Sequence, residues 1–148
     1  MVRKYVVLVC VLVCVLAGCG GGAGKSGGAA AGAVGPRQAV EAFLATIEAK
    51  DIQAMSLVWG STDGPVRDHM ARDQMEKREI LMQCYLKHDA AKIGDQSPGP
   101  EGRIIFKVEL VQGPRKRTTN FTTVRGPSDR WYVFDVDLSA MQDFCNNR

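Results

Sequence analysis

Two histidines in 148 residues, and no C-x-x-C pair beside them, leave little from which to build a metal centre. Asp68, Asp73 and Asp89, the acids near His69 and His88, read as helix-surface or turn residues, so neither a metal nor another cofactor is expected. Charge of one sign is equally short in excess. Nineteen Lys and Arg face 16 Asp and Glu, and without Arg3 and Lys4 of a removable leader the balance is 17 against 16. Such a chain projects no field that would steer nucleic acid or an acidic substrate toward it, so nucleic acid is excluded as an expected partner. Long apolar runs are missing too. The longest, Tyr5 to Leu16, falls short of the roughly 20 residues that a membrane-spanning helix needs.

What that run does fit is an export leader. Arg3 and Lys4 supply a positive start, and the apolar stretch is interrupted only by Cys10 and Cys14. It ends in Leu16-Ala17-Gly18-Cys19, which resembles the lipobox of bacterial lipoproteins at all four positions. The resemblance implies a signal peptide over 1–18, a diacylglyceryl group on the Cys19 thiol, and localisation in the cell envelope, lipid-anchored on the exported side of a membrane. Two acyl chains at about 0.8 kcal/mol per buried CH₂ make a firm anchor.

Residues 19–36 form the next unit, the lipidated cysteine and a Gly/Ala-rich linker. Thirteen of the 17 residues from Gly20 to Pro36 are Gly or Ala. A flexible coil of that composition has an end-to-end distance of roughly 20–25 Å, enough for a domain to float near the membrane. Gly24-Lys25-Ser26 invites comparison with a phosphate-cradling loop, but Cys19 occupies the first glycine position, no strand of the folded domain leads in, and Gly/Ala-rich sequence follows where a helix should begin.

From 37 to 148 the pattern is that of one folded domain. Val40, Phe43, Leu44 and Ile47 share a helix face, and Pro36 suits its first turn. Asp51 reads as the N-cap of a second short helix carrying Ile52, Met55 and Trp59, stopped at Gly60. Asp73 with Glu76 resembles a capping box opening a longer helix through Leu86, whose apolar residues crowd into Ile80 to Leu86 and mark that end as buried. The period then becomes two. A weak strand is expected over Ala90 to Asp95, a strong one around Ile104, Phe106, Val108 and Leu110, a third over Thr118 to Val124 centred on Phe121, and a last over Trp131 to Leu138. Helices first and an antiparallel meander after them give an α+β fold. On the last strand, alternation puts Tyr132, Phe134, Val136 and Leu138 inward and Asp135 with Asp137 outward. On that register Phe134→Ala costs roughly 3–5 kcal/mol and Asp135→Asn is near neutral.

The opening Ala39-Val40-Glu41-Ala42-Phe43-Leu44, the Ala49-Lys50-Asp51 break, and the closing Arg130-Trp131-Tyr132-Val133 resemble the nuclear transport factor 2-like superfamily over about Pro36 to Leu138. The resemblance implies a cone, with a curved antiparallel sheet wrapped around N-terminal helices and a pocket at the open end. Phe43, Ile47, Trp59, Tyr85, Phe106, Phe121 and Phe134 are then the pocket or core candidates. The superfamily includes isomerases and dehydratases as well as binding domains. None of those enzymes' catalytic residues matches a position here, so no catalytic residue is assigned. The expected role is a non-catalytic domain binding a small apolar ligand or an envelope protein, with homodimerisation through the open sheet face as an option. The alternative is a small isomerase, dehydratase or hydrolase using a pocket carboxylate or histidine.

Cys84 and Cys145 are the two thiols left beyond Cys19. An exported domain favours joining them, with two separate buried thiols as the other possibility. Arg115-Lys116-Arg117 reads as a solvated hairpin end, or as a contact for anionic head groups.

The anchor is directly testable. Cys19→Ser abolishes fatty-acid labelling and leaves an uncleaved or soluble product; a mutant that still takes up label and fractionates with membrane would overturn the lipobox reading.

Overall fold

The computed structural model describes residues 30–146; Cys19, with the leader and most of the linker, lies outside them. Helix α1 (Pro36–Ala49) starts on a proline in its first turn and ends on Lys50 in the left-handed region (φ 54°). Its face of Ala39, Val40, Phe43, Leu44, Thr46 and Ile47 is buried. Asp51 caps α2 (Ile52–Val58), its Oδ1 accepting from the Ala54 N–H at 2.9 Å. A small hairpin, β1 (Gly60–Ser61) with β2 (Gly64–Pro65), leads through a single 3-10 turn to α3 (Arg72–Tyr85). Strands β3 (Ala90–Pro98), β4 (Ile104–Gln112), β5 (Arg115–Arg125) and β6 (Trp131–Val136) follow as a curved antiparallel meander in sequential order. A last turn, α4 (Gln142–Cys145), closes the chain. The architecture is α+β, with α1 packed across β5 and β6.

Alternation governs the middle of the sheet as expected. Phe106, Val108 and Leu110 of β4 are fully buried, with Phe121 of β5 paired to Phe106. The Phe43 ring meets Phe121 edge-on at 6.0 Å, so aromatic side chains fill the space between α1 and the sheet.

Alternation fails on β6. Thr122 faces Asp135 but Thr123 faces Val133, so Phe134 is an additional residue with no partner on β5. This β-bulge resets the parity of the strand. Val133 and Val136 therefore both enter the core, while Phe134, expected inward, is only half-buried and turns to the surface. Tyr132 is buried, but outside the core cluster. Its ring is wrapped by Gly32, Gly60 and Gly126, where a Cβ would come within 2.8, 2.7 and 2.8 Å of it. Leu138 lies beyond the strand and is half-buried.

Three further differences have local causes. Residues counted with the linker belong to the fold: Ala33 exchanges backbone hydrogen bonds with Trp131, and the Arg130 guanidinium donates to the carbonyls of Ala31 and Gly32 at 3.1 and 2.6 Å. No capping box opens α3, because its N-cap is Ala71, which has no acceptor; Asp73 and Glu76 instead pair forward with Lys77 and backward with Arg72. The buried stripe of α3 is Met75, Glu79 and Met82, continuing to Leu86, which leaves Ile80 and Leu81 at 58% and 53% exposure rather than inside.

Cys84 and Cys145 form a disulfide with Cα atoms 4.9 Å apart. It closes 61 residues, which in the loop-entropy model is worth roughly 4 kcal/mol. Phe144 and Met141 are buried beside it, and Arg117 pairs with Asp143 at 2.6 Å. Lys116 pairs with Glu109 at 3.0 Å, so the basic run is largely engaged within the domain.

The bulge reverses an energetic ranking. Phe121→Ala destabilises the domain by about 3–5 kcal/mol, whereas Phe134→Ala costs about 1–2 kcal/mol. Denaturant melts check the order, and equal losses would mean that Phe134 sits in the core after all.

Candidate functional site

The bulge that removes Phe134 from the core builds a surface groove. Trp59 forms its floor. This residue ends α2, its N–H donating to the Met55 carbonyl at 2.9 Å, and it bridges to Val133 in parallel register. One lobe of the groove, 270 Å³, runs between α3 and β6 and is walled by Leu81, Met82, Val133, Val136 and Leu138, with Asp135 among its lining. The other lobe, 300 Å³, runs toward the β1–β2 hairpin and is walled by Val66 and Met70 with His69. Trp59, Arg78 and Phe134 line both, so the lobes form one cleft with Arg78 at the junction. Phe134 is held from behind by the Arg103 guanidinium, 4.3 Å from its ring centre, and Arg103 is itself tied to Glu101 at 2.9 Å.

The sequence candidates divide between core and cleft. Phe43, Phe106 and Phe121 are fully buried and Ile47 nearly so, all in the core; Tyr85 packs partly buried at its edge. Trp59 serves both core and cleft, and Phe134 serves the cleft. His69 is exposed, with its Nε2 2.8 Å from the Asp63 carbonyl. The side chain of His88, far along the chain from it, is enclosed, with Nδ1 at 2.7 Å from the Leu86 carbonyl and Nε2 at 3.3 Å from Glu48 Oε1. Among the described residues no three His, Cys, Asp or Glu side chains gather as a metal would require, and no helix is long and apolar enough to cross a membrane. Arg78 and Leu81 were not foreseen, because the crowding of apolar residues over Ile80 to Leu86 reads as a buried end and the exposure of Ile80 and Leu81 is visible only in the structure.

Glu79 was not foreseen either. It is fully buried in the hydrophobic stripe of α3, and neither carboxyl oxygen has a hydrogen-bond partner among the described residues. Removal from water, reinforced by the charge of Glu76, pushes its carboxyl up to about 7. That value suits an acid or base near neutrality, yet Glu79 lines neither lobe of the cleft.

Comparison of the chain with protein-family models, with curated proteins and with solved structures finds no match in any of the three. The functional argument therefore rests on the geometry.

Glu79 makes stability depend on pH with a defined sign. The fold holds its proton more tightly than the unfolded chain, where the group titrates near 4.5. Its contribution is present below that value and is lost as pH rises through about 7. The wild type should melt at a lower temperature at about pH 8 than at about pH 5, and Glu79→Gln, neutral throughout, should remove most of that fall. An unchanged fall in the variant would assign the titration to another group.

Proposed function

We propose that this chain is a lipid-anchored protein of the cell envelope whose folded part is a nuclear transport factor 2-like cone acting as a binding module for a small apolar ligand. The observation that carries the binding role is the cleft: its floor is the edge of the core at Trp59, Met82, Val133 and Val136, and half-buried Phe134 and Leu138 with exposed Leu81 form an apolar rim around it, while aromatic side chains fill the interior of the fold. Leu81, Phe134 and Leu138 thus keep apolar surface in water around a concavity floored by the core, as at ligand seats. The lobes, 270 and 300 Å³, lie just below and at the lower end of the roughly 300–1,000 Å³ range of such sites, which favours a small ligand over a protein. The cone reading is supported by element order, by α1 lying across β5 and β6, and by the short hairpin whose lead-in residue Trp59 bridges to Val133.

The raised proton affinity of Glu79 is the one feature that favours an isomerase, dehydratase or hydrolase instead. A general acid or base must reach its substrate, and a fully buried carboxyl outside the cleft lining does not. Binding is thus the better reading of this site.

A neutral apolar dye, Nile red, tests it. Its fluorescence should rise saturably on binding to the protein, and Leu81→Glu, which puts a charge on the exposed rim of the cleft, should weaken binding by about tenfold or more. Non-saturable emission, or a dye response that Leu81→Glu leaves unchanged, would remove the cleft as the ligand seat.

A further inference from the structure

Resting on the cleft as an apolar ligand seat, we infer that its occupant is a single-chain amphiphile with an anionic head, the head held at Arg78 and the chain lying along β6. Arg78 is exposed at the point where the two lobes meet. The other two cations of α3 are paired, Arg72 with Glu76 at 2.6 Å and Lys77 with Asp73 at 3.7 Å, whereas Arg78 has no acidic partner among the described residues. Its guanidinium shares the lining of both lobes with Trp59 and Phe134, so an anion bound there has an apolar seat next to it, and a charge-assisted hydrogen bond is the stronger kind. Its planar fork matches a carboxylate or phosphate.

The signs of the two lobes give the ligand a direction. Asp135 lines the sheet lobe and repels an anion placed there, while the hairpin lobe is lined by His69 and by no acid. A head group is therefore drawn to Arg78 from the hairpin side, and an alkyl chain extends through the sheet lobe between Leu81, Phe134 and Leu138. A free fatty acid and a lysophospholipid phosphate share this chemistry, and a protein tethered beside a membrane would meet both.

The test is calorimetric titration of the full chain, held in solution by a non-ionic amphipathic polymer, with decanoate, decyl phosphate and decanol. At least one of the two anions should bind about tenfold more tightly than decanol, the amount expected of a charge-assisted contact. Arg78→Gln should reduce the anion to the affinity of decanol, and Arg78→Lys should restore part of the preference. Leu81→Glu should weaken all three probes. Binding of only one anion would support the inference and identify the head group. Decanol binding as tightly as both anions, with Arg78→Gln without effect, would overturn the anionic head while leaving the apolar seat standing. Failure of all three probes to bind would overturn both. Arg78 and Leu81 are exposed, so unchanged melting of these variants is expected and separates loss of binding from loss of fold.

Discussion

Strand β6 is short and has neighbours on both edges. β5 pairs along one side, and on the other the backbone of Ala33 meets Trp131 while Trp59 meets Val133. Buried amides and carbonyls must find partners, so a strand committed on both edges cannot slide or rotate to suit its side chains. The sequence Trp131–Val136 offers large apolar residues at nearly every position, and a regular pleat would send half of them to the wrong face. The bulge at Phe134 resolves this conflict. Val133 and Val136 reach the core, Tyr132 is enclosed by glycines on the other side, and one large ring is left over. The cleft is the consequence of that surplus ring, and Trp59, fixed by the same bridge, completes its floor.

The same logic extends to α3. Its buried stripe carries Glu79 between Met75 and Met82, where an aliphatic residue of similar size would serve packing better. A carboxyl there must hold its proton to be tolerated, and above neutral pH it weakens the helix that supplies one wall of the cleft. Compensation comes from the end of this helix. The disulfide from Cys84 to Cys145 and the burial of Phe144 fasten α3 to the C-terminal turn, independently of the helix's own weak apolar face.

How far the sequence could be read follows from these causes. Elements whose pattern depends on local period were legible: α1 from its four-residue stripe, α2 from the Asp51 cap, and β4 from strict alternation through Phe106, Val108 and Leu110. The pairing of the two cysteines was legible from their even number and from the exported location that the leader resemblance implies. The bulge was not, because it is set by what lies on both edges of β6, and its only trace in the chain is a crowded apolar run. The docking of Ala31 to Ala33 was hidden in the same way, since Gly/Ala composition reads as linker unless the Tyr132 ring it covers is known. On α3 the run Ile80 to Leu86 suggested a buried end. The helical period instead gave the inside to Glu79 and left Ile80 and Leu81 in water.

That exchange of an acid for two aliphatics is what makes the surface of α3 unusual. A helix optimised only for stability would bury Leu81 and leave Glu79 exposed, gaining on both counts. Rotating α3 about its axis to achieve this would carry Arg78 away from the junction of the two lobes and Cys84 away from Cys145. The disulfide thus fixes the rotation of the helix, and the rotation fixes which side chains face β6. The cost falls on Glu79 and Leu81, and the gain is a cleft with an apolar wall and a cation at its centre. Natural sequences give up good packing locally at functional or strained sites, and on the proposed reading the cleft is that site.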